Sequence, residues 1–344
     1  MLNVIILESN YQNTTHLFHS YRPFPVLTVI TETLNGISKF SRKTTPNLYG
    51  ENLLTYPDQL LPRSILFMNK NGDLQMLGYV GRLLNTFAEK LNATLKFAYP
   101  VEIGKQVFFT ELLQMTLNQS LDIPVSIASL SEVGDLESYT QFIEISKCFL
   151  TQPPLEQQIN SFDDIKRSNL KVLMSRSGSK LLNLYAGEDF VRKYGNVITL
   201  IDHNEYVKLR NSFNNTEMAY AATTSAWFIL EKQQNYFSQK VFRISPDLYF
   251  SNLMIYAIPL PVNSIYEESL NQLIGLLQSS GIFMHWFQSS FFDMVSGGLM
   301  SFKDLNINKQ FEPLRAVDLY YIWKDIKKKD KHYSFIEGTY KPDT

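Results

Sequence analysis

The chain has 344 residues, enough for roughly two domains of ordinary size, and 44% of them are apolar, so it can bury a real core. Only 19% are charged and the formal net charge is −1, a balance that attracts no nucleic acid and excludes a basic, polyanion-binding protein. Cys148 is the only cysteine, which excludes an internal disulfide.

In residues 1–47 the run Met1–Glu8 reads as a strand. It has no basic leader and its apolar run is broken at Glu8, so it makes a poor signal peptide. Pro23-Phe24-Pro25 precedes a second β-like run, Val26 to Ile30, and the basic, hydroxyl-rich stretch Lys39 to Thr45 follows. The segment is too short for a domain and reads as a remnant of an N-terminal region or a linker.

Residues 48–147 read as one α/β unit. A strand over Ser64–Met68 and a turn at Asn71-Gly72-Asp73 lead to a helix from Gly78 to about Asn92, with Val80, Leu83, Leu84, Phe87 and Leu91 at helical spacing. A strand at Leu95–Tyr99, a helix at about Phe108–Asn118 and a short strand at Ile123–Leu130 complete a sheet with helices on its faces. Thr151-Gln152-Pro153-Pro154 is a stiff connector. The second unit, residues 155–245, opens with Ser161 capping a helix at Phe162–Arg167, whose Asp163 and Asp164 suit its positive end. Then come a strand at Leu170–Met174, a turn at Ser175–Ser179, a helix from about Lys180, a strand at Val197–Ile201, and a turn and helix over Met218–Leu230.

A strand at Leu253–Leu260 begins the last unit, residues 250–310. Ser264 with Glu267 forms a candidate capping box for a helix over 265–278, Gly281 ends it, and Ile282–Phe292 forms a short helix. The tail, 311–344, ends in a solvated charge run, Lys324 to Lys331. The longest stretches free of Asp, Glu, Lys and Arg are 248–266 and 269–292. The first is broken by Pro259 and Pro261 and the second has an amphipathic stripe of Leu270, Leu273, Ile274 and Leu277, so neither reads as a membrane span.

Chemistry-bearing patterns are sparse. The histidines are His16, His19, His203, His285 and His332; His16 and His19 sit three apart with no carboxylate or cysteine near them at metal-ligand spacing, and His285 beside Trp286 reads as a packing residue. No nucleophile elbow, phosphate loop or dinucleotide fingerprint occurs, so the chain reads as no enzyme and calls for no cofactor or metal. Ser177-Gly178-Ser179 sits between a predicted strand and a predicted helix, where hydroxyls and free backbone N–H groups suit a polar or anionic ligand group, although an ordinary capped turn has the same sequence. Four Asn-x-Ser/Thr sequons start at Asn13, Asn92, Asn118 and Asn214, glycosylation sites if the chain is secreted.

Several stretches in the right order carry a family resemblance. Asn71-Gly72 through Leu77-Gly78-Tyr79-Val80 and Leu91-Asn92-Ala93-Thr94-Leu95 resemble the start of the ligand-binding domain of ionotropic glutamate receptors. The likeness is nearer to their divergent relatives, the insect ionotropic chemoreceptors. Leu121-Asp122-Ile123 and Phe142 to Lys147 resemble the end of the first segment, and Ile159 to Ile165 the opening of the second. Pro261 to Ser264, Ser280-Gly281-Ile282 and Trp286 match the late part, and Glu312 to Arg315 with Asp318-Leu319 the lead-in to the last transmembrane helix. The likeness covers roughly residues 48–322.

The resemblance implies a bilobed, periplasmic-binding-protein-like α/β clamshell. Residues 48–147 would form mostly lobe one, 155–245 lobe two and 250–310 the return to lobe one, with 311–344 a truncated lead-in. It also implies a small-molecule chemical ligand, co-receptor subunits, a cell-membrane location and a ligand-gated cation channel serving smell or taste. The pore of that family lies between the two segments, yet here Ser146-Lys147 runs directly into Cys148-Phe149, and Trp323 is followed by Lys324-Asp325 in place of a last span. The receptors hold a ligand carboxylate with an arginine whose matching position falls near Glu132 to Asp135, and no basic residue occurs from Gln106 to Ser146; Lys105 and Lys147 are the nearest on either side. They hold the ligand ammonium with an acid whose matching region is about Ala222 to Ser225, and no acid occurs from Ala219 to Leu230. The sequence therefore predicts no tight binding of glutamate or glycine, and polar contacts from Ser177, Ser179, Thr223, Thr224, Tyr79 or Tyr139. A soluble small-molecule binding protein and a non-functional truncated product are the alternatives.

Overall fold

The structure, a computed structural model, describes residues 6–9, 16–22, 26, 28–33, 47–130, 138–153, 159–168, 170–179 and 182–305. The described residues form one packed unit, and the tail from residue 306 lies outside them.

Near the N-terminus β1 (Ile6–Ser9), β2 (His16–Arg22) and β3 (Thr28–Thr33) form an antiparallel sheet, with Ile6 opposite His19 and Leu17 opposite Thr33. The His19 ring nitrogen lies 2.8 Å from Thr31 Oγ1 on the neighbouring strand. Strand β2 had no counterpart in the sequence reading, because His, Ser, Tyr and Arg blur its alternation.

The first lobe grows from β4 (Asn52–Thr55), β5 (Ile65–Met68), β6 (Leu74–Leu77), α1 (Tyr79–Lys90), β7 (Thr94–Phe97), α2 (Phe109–Leu117) and the two-residue β8 (Ala128–Ser129). β4 and β7 pair in parallel, and β5 and β6 pair antiparallel around Gly72. Helix α1 buries Val80, Leu83, Leu84 and Phe87 along one stripe, each contributing about 1.5–3 kcal/mol when fully buried. The strand expected over Ile123–Leu130 shrinks to β8. Pro124 has no N–H for a ladder, and the segment is fixed by Thr55 Oγ1 donating to the Ile123 carbonyl and by the Leu54 N–H donating to Asp122.

Strand β9 (Glu144–Gln152) carries the chain into the second lobe. There follow α3 (Phe162–Arg167), β10 (Lys171–Ser175), α4 (Arg176–Ser179), α5 (Leu182–Ala186), α6 (Glu188–Tyr194), β11 (Ile198–Ile201), α7 (His203–Ser212), β12 (Met218–Thr223) and α8 (Thr224–Gln234). The capping box at α3 forms: Asp164 N–H donates to Ser161 Oγ and Ser161 N–H donates to the Asp164 carboxylate. β10 is parallel to both β11 and β12, and alternate side chains feed two cores. Val172, Met174, Ala219 and Ala221 pack on one face with Leu150. Leu173, Tyr220 and Ala222 pack on the other with Phe149 and Trp227.

The chain returns along β13 (Arg243–Ala257), which pairs antiparallel with β9 from Arg243↔Gln152 to Tyr256↔Glu144 and then with β8. The full order is β11-β10-β12-β9-β13-β8, so β9 and β13 run through both lobes. Two helices, α9 (Glu267–Ser279) and α10 (Ile282–Ser296), close the first lobe on α1, with Gly281 at positive φ between them. Tyr266, not Ser264, occupies the N-cap of α9 and makes no side-chain cap, so the expected capping box is absent. His285 is exposed on α10 rather than packed.

The start of α1 is fixed by a backbone contact. No side chain caps it; the Val80 and Gly81 N–H groups donate to the Arg63 carbonyl at 3.0 and 3.3 Å. Gly78 is at φ +85°, and a Cβ there would lie 2.6 Å from the carbonyl oxygens of Pro62 and Arg63. One turn further on, Arg82 forks onto Asp293 of α10 at 2.6 and 3.1 Å. Gly78→Ala is expected to lower stability by about 2–4 kcal/mol, read as a shifted urea midpoint at unchanged slope.

Candidate functional site

The parallel strands β10, β11 and β12 end on one side of the second lobe, and each is followed by a helix that starts there. Ligands of open α/β sheets bind outside such carboxyl ends. A cavity of about 180 Å³ occupies that position, between the second lobe and the first. The first lobe contributes Leu60, Leu61 and Arg63 from the turn before β5, and Gln106, Phe108 and Phe109 from the start of α2. The second contributes Met174, Ser175, Gly178, Leu182 and Tyr185 around α4 and α5, and His203, Tyr206, Val207 and Arg210 along α7. Thr223, Ser225 and Ala226 come from the start of α8, and Cys148, Phe250, Ser251, Met254 and Tyr256 from the strands shared by the lobes. An adjoining hollow of about 270 Å³ shares Leu61, Gln106 and Val207 and mixes polar groups such as Gln59, Asn204 and Lys208 with Ile65, Leu66 and Leu299.

Local folding explains how these groups arrive. The Asp58 carboxylate is fully buried and accepts from the Leu60 N–H, Ser64 Oγ and Ser126 Oγ at 2.9, 2.6 and 2.8 Å. That shapes the turn containing the cis Leu61–Pro62 bond and presents Arg63. Arg63 is 6% exposed; its Nη1 donates to the Ile127 carbonyl at 3.2 Å, and its guanidinium carbon lies 4.7 Å from the Tyr256 ring centroid and 5.8 Å from that of Phe109. On the second lobe Asp202 caps α7, accepting from the Asn204 N–H at 2.8 Å, which points the first turn of α7 at the cavity. Tyr206 donates its hydroxyl to the Ala221 carbonyl, and Arg210 stacks on the Tyr206 ring at 5.3 Å.

Burial sets the protonation states. It pulls His203 down to about 4, with the Arg210 charge adding to the effect, so the imidazole is neutral near pH 7; its Nδ1 lies 2.9 Å from Ser175 Oγ. Burial raises the Cys148 thiol to about 12, which leaves it un-ionised and unsuited to nucleophilic work. Contacts between the lobes include the hydrogen bond of the Ser129 and Tyr185 hydroxyls and, beside cavity-lining groups, the Phe108 and His203 rings edge to face at 5.8 Å.

Of the residues expected from sequence, Gly178 and Thr223 line the cavity. Ser177, Ser179, Thr224, Tyr79 and Tyr139 are not among its lining residues. Ser175–Ser179, expected as a turn, closes into the single helical turn α4, and Ser179 Oγ donates to the Arg176 carbonyl at 2.8 Å. Thr224 is tied to β9, its Oγ1 accepting from the Lys147 N–H at 3.0 Å. Tyr79 is fully buried in the first-lobe core and donates to Glu144 at 2.5 Å, and Tyr139 packs beside Phe109 and Ala257. Lys105 and Lys147 are exposed, and Glu132 to Asp135 lie outside the described residues. Arg63, His203, Tyr206 and Arg210 are among the polar lining groups that were not expected from the sequence, as are Gln106, Tyr185, Ser251 and Tyr256. Asn92, Asn118 and Asn214 are exposed, while Asn13 lies outside the described residues.

Among the described residues no helix is long and apolar enough to cross a membrane. No family model and no curated protein sequence matches the chain. Solved structures do. The ligand-binding domain of AvGluR1 in complex with serine aligns with a TM-score of 0.52 at 12% identity, over 71% of this chain and 97% of that one. The glycine complex of the iGluR3 ligand-binding domain from Pleurobrachia bachei gives 0.54 at 13%, over 72% and 99%. The amino acid ABC transporter substrate-binding protein AbpA from Streptococcus pneumoniae, bound to L-arginine, gives 0.51 at 16%, over 72% and 96%. The fold is that of the bilobed clamshell, which these ligand-binding domains and substrate-binding proteins share.

His203 yields a pH prediction. Its folded pKa lies below the ordinary 6.5, so the stability present above pH 6.5 is progressively lost as pH falls toward 4, where the unfolded chain takes up a proton that the native chain refuses. The loss attributable to this one group is at most about 3 kcal/mol. His203→Gln is expected to flatten that part of the profile, measured as the difference between the two proteins in urea unfolding at neutral pH and at pH near 4.5.

Proposed function

We propose that this chain is the ligand-binding part of a chemosensory ionotropic receptor subunit, which senses small molecules other than amino acids by closing a clamshell on them. The observation that carries the reading is the cavity between the lobes, at the carboxyl ends of β10 and β12, whose described lining includes no aspartate or glutamate. An amino-acid ammonium buried there meets no carboxylate among the described lining residues. The segment that would supply an acid, Ala222 to Ser225, brings only Thr223 and Ser225 to the cavity. The order of the receptor-like stretches in the sequence supports membership of a ligand-gated cation channel family used in smell or taste, with co-receptor subunits. Exposed Asn92, Asn118 and Asn214 are accessible to glycosylation and would be found modified on a cell-surface product.

One observation favours a second reading, a soluble binding protein with no current of its own. The Lys147–Cys148 junction lies inside the continuous strand β9, paired on both sides, so the lobes are joined with no insertion between them.

Calorimetry with purified chain is expected to show no micromolar binding of L-glutamate, glycine, L-serine or L-arginine; micromolar binding of any of them would refute the exclusion of amino acids. Transcript reads across the Lys147–Cys148 codons separate the two readings. Reads carrying about 100 additional residues with two spans of roughly 20 apolar residues each support the channel subunit. Uninterrupted reads support the soluble module.

A further inference from the structure

We infer that the cleft takes a small monoanion with an apolar body and no ammonium group, its carboxylate or equivalent oxyanion seated on the guanidinium of Arg63. The inference rests on the reading of this cleft as the binding site and adds the ligand's chemical class and the residue that anchors it.

The anchor is built before any ligand arrives. The Arg63 carbonyl is held by the first turn of α1 and its guanidinium is sandwiched against the Tyr256 and Phe109 rings, so the fork has one orientation. Only one of its N–H groups has a protein acceptor among the described residues, the Ile127 carbonyl. The two carboxylates whose charges reach it make no direct ion pair with it. Asp58 is taken up by Leu60, Ser64 and Ser126, and Glu144 gives one oxygen to the Tyr79 hydroxyl while its other oxygen has no hydrogen-bond partner among the described residues. Burial also raises the Asp58 carboxyl toward its neutral form, with Arg63 opposing the shift. Nearby Glu144 and Asp58 hold the Arg63 charge in place against the cost of burial, yet neither occupies its fork, and a ligand oxyanion would fill the unpaired N–H groups with charge-assisted, bidentate hydrogen bonds.

The remaining walls set the rest of the ligand. Arg210 adds a second positive charge from the opposite lobe. Phe108, Phe109, Met174, Leu182, Phe250 and Met254 make the interior apolar, which suits an alkyl or aryl body. No carboxylate among the described lining residues compensates an ammonium, so an amino acid loses to the acid that lacks its amino group. The arginine comes from the turn before β5, a different segment from the Glu132–Asp135 region where the receptor resemblance would place one.

Four probes of one chain length separate these terms: hexanoate, 1-hexanol, hexylamine and L-norleucine, titrated into the full chain by calorimetry at neutral pH. Hexanoate is expected to bind about 10-fold or more tighter than hexanol, with hexylamine and norleucine weaker still. Arg63→Gln is expected to weaken hexanoate about 30-fold while leaving hexanol within about twofold, and Arg63→Lys, which keeps charge but loses the fork, to fall between. Equal or tighter binding of hexanol, hexylamine or norleucine, or an acid-to-alcohol ratio unchanged in Arg63→Gln, overturns the inference and leaves the cleft as a binding site. Failure of all four probes to bind a chain that melts cooperatively overturns both. Should Arg63→Gln not fold, an acid-to-alcohol ratio unchanged in both Arg63→Lys and Arg210→Gln overturns the anion assignment in its place.

Discussion

The antiparallel pairing of β9 with β13 is the constraint on which the rest of the molecule depends. One ladder starts in the second lobe at Arg243↔Gln152 and ends in the first at Tyr256↔Glu144. Its register shifts between Ile244 and Met254, where bulges bend the pair at the level of the cavity. The six-stranded sheet is therefore common to both lobes, while the pairs β4–β7 and β5–β6 belong to the first lobe alone. The second lobe hangs on β12 beside β9, the first on β8 beside β13, and Cys148, Phe250, Ser251, Met254 and Tyr256 face the cleft because they sit where the ladder passes between them. A ligand touching those residues touches the strands that join the two lobes.

The second organising contact is smaller. The Arg63 carbonyl serves as the missing cap of α1, and this is possible only because Gly78 has no side chain. One residue thereby does two jobs with different atoms: its backbone starts the central helix of the first lobe, and its side chain enters the cleft. Helix α1 in turn is fixed to α10 by the Arg82–Asp293 pair. The positions of the guanidinium and of the first-lobe core are thus mechanically linked.

Much of this fold was legible in sequence wherever one face of an element is buried and the other is wet. The stripe of α1, the stripe of Leu270, Leu273, Ile274 and Leu277 on α9 and the capping residues of α3 all announced themselves. Elements without such contrast did not. β12 reads Met-Ala-Tyr-Ala-Ala-Thr and is covered on both faces, so its alanines suggested a helix where the sheet needs small side chains at its centre. α7 buries only Tyr206 and offers no stripe; its sole local signal is Asp202 at the cap. The cleft was legible in outline, since Gly178 and Thr223 line it, but its charged group was not. Arg63 is a lone cation in an apolar stretch, and nothing in its spacing reports that a distant glycine and two aromatic rings will hold it.

The contacts that join the lobes beside the cavity bear on kinetics. With the Ser129 and Tyr185 hydroxyls bonded and the Phe108 and His203 rings in contact, part of the cavity's rim is closed and the rest stays open to solvent. Parting of those contacts widens the mouth, so a molecule larger than the remaining opening enters only through that motion. A smaller one arrives by diffusion through the open part, and molecular size then sets the arrival rate as well as the dwell time.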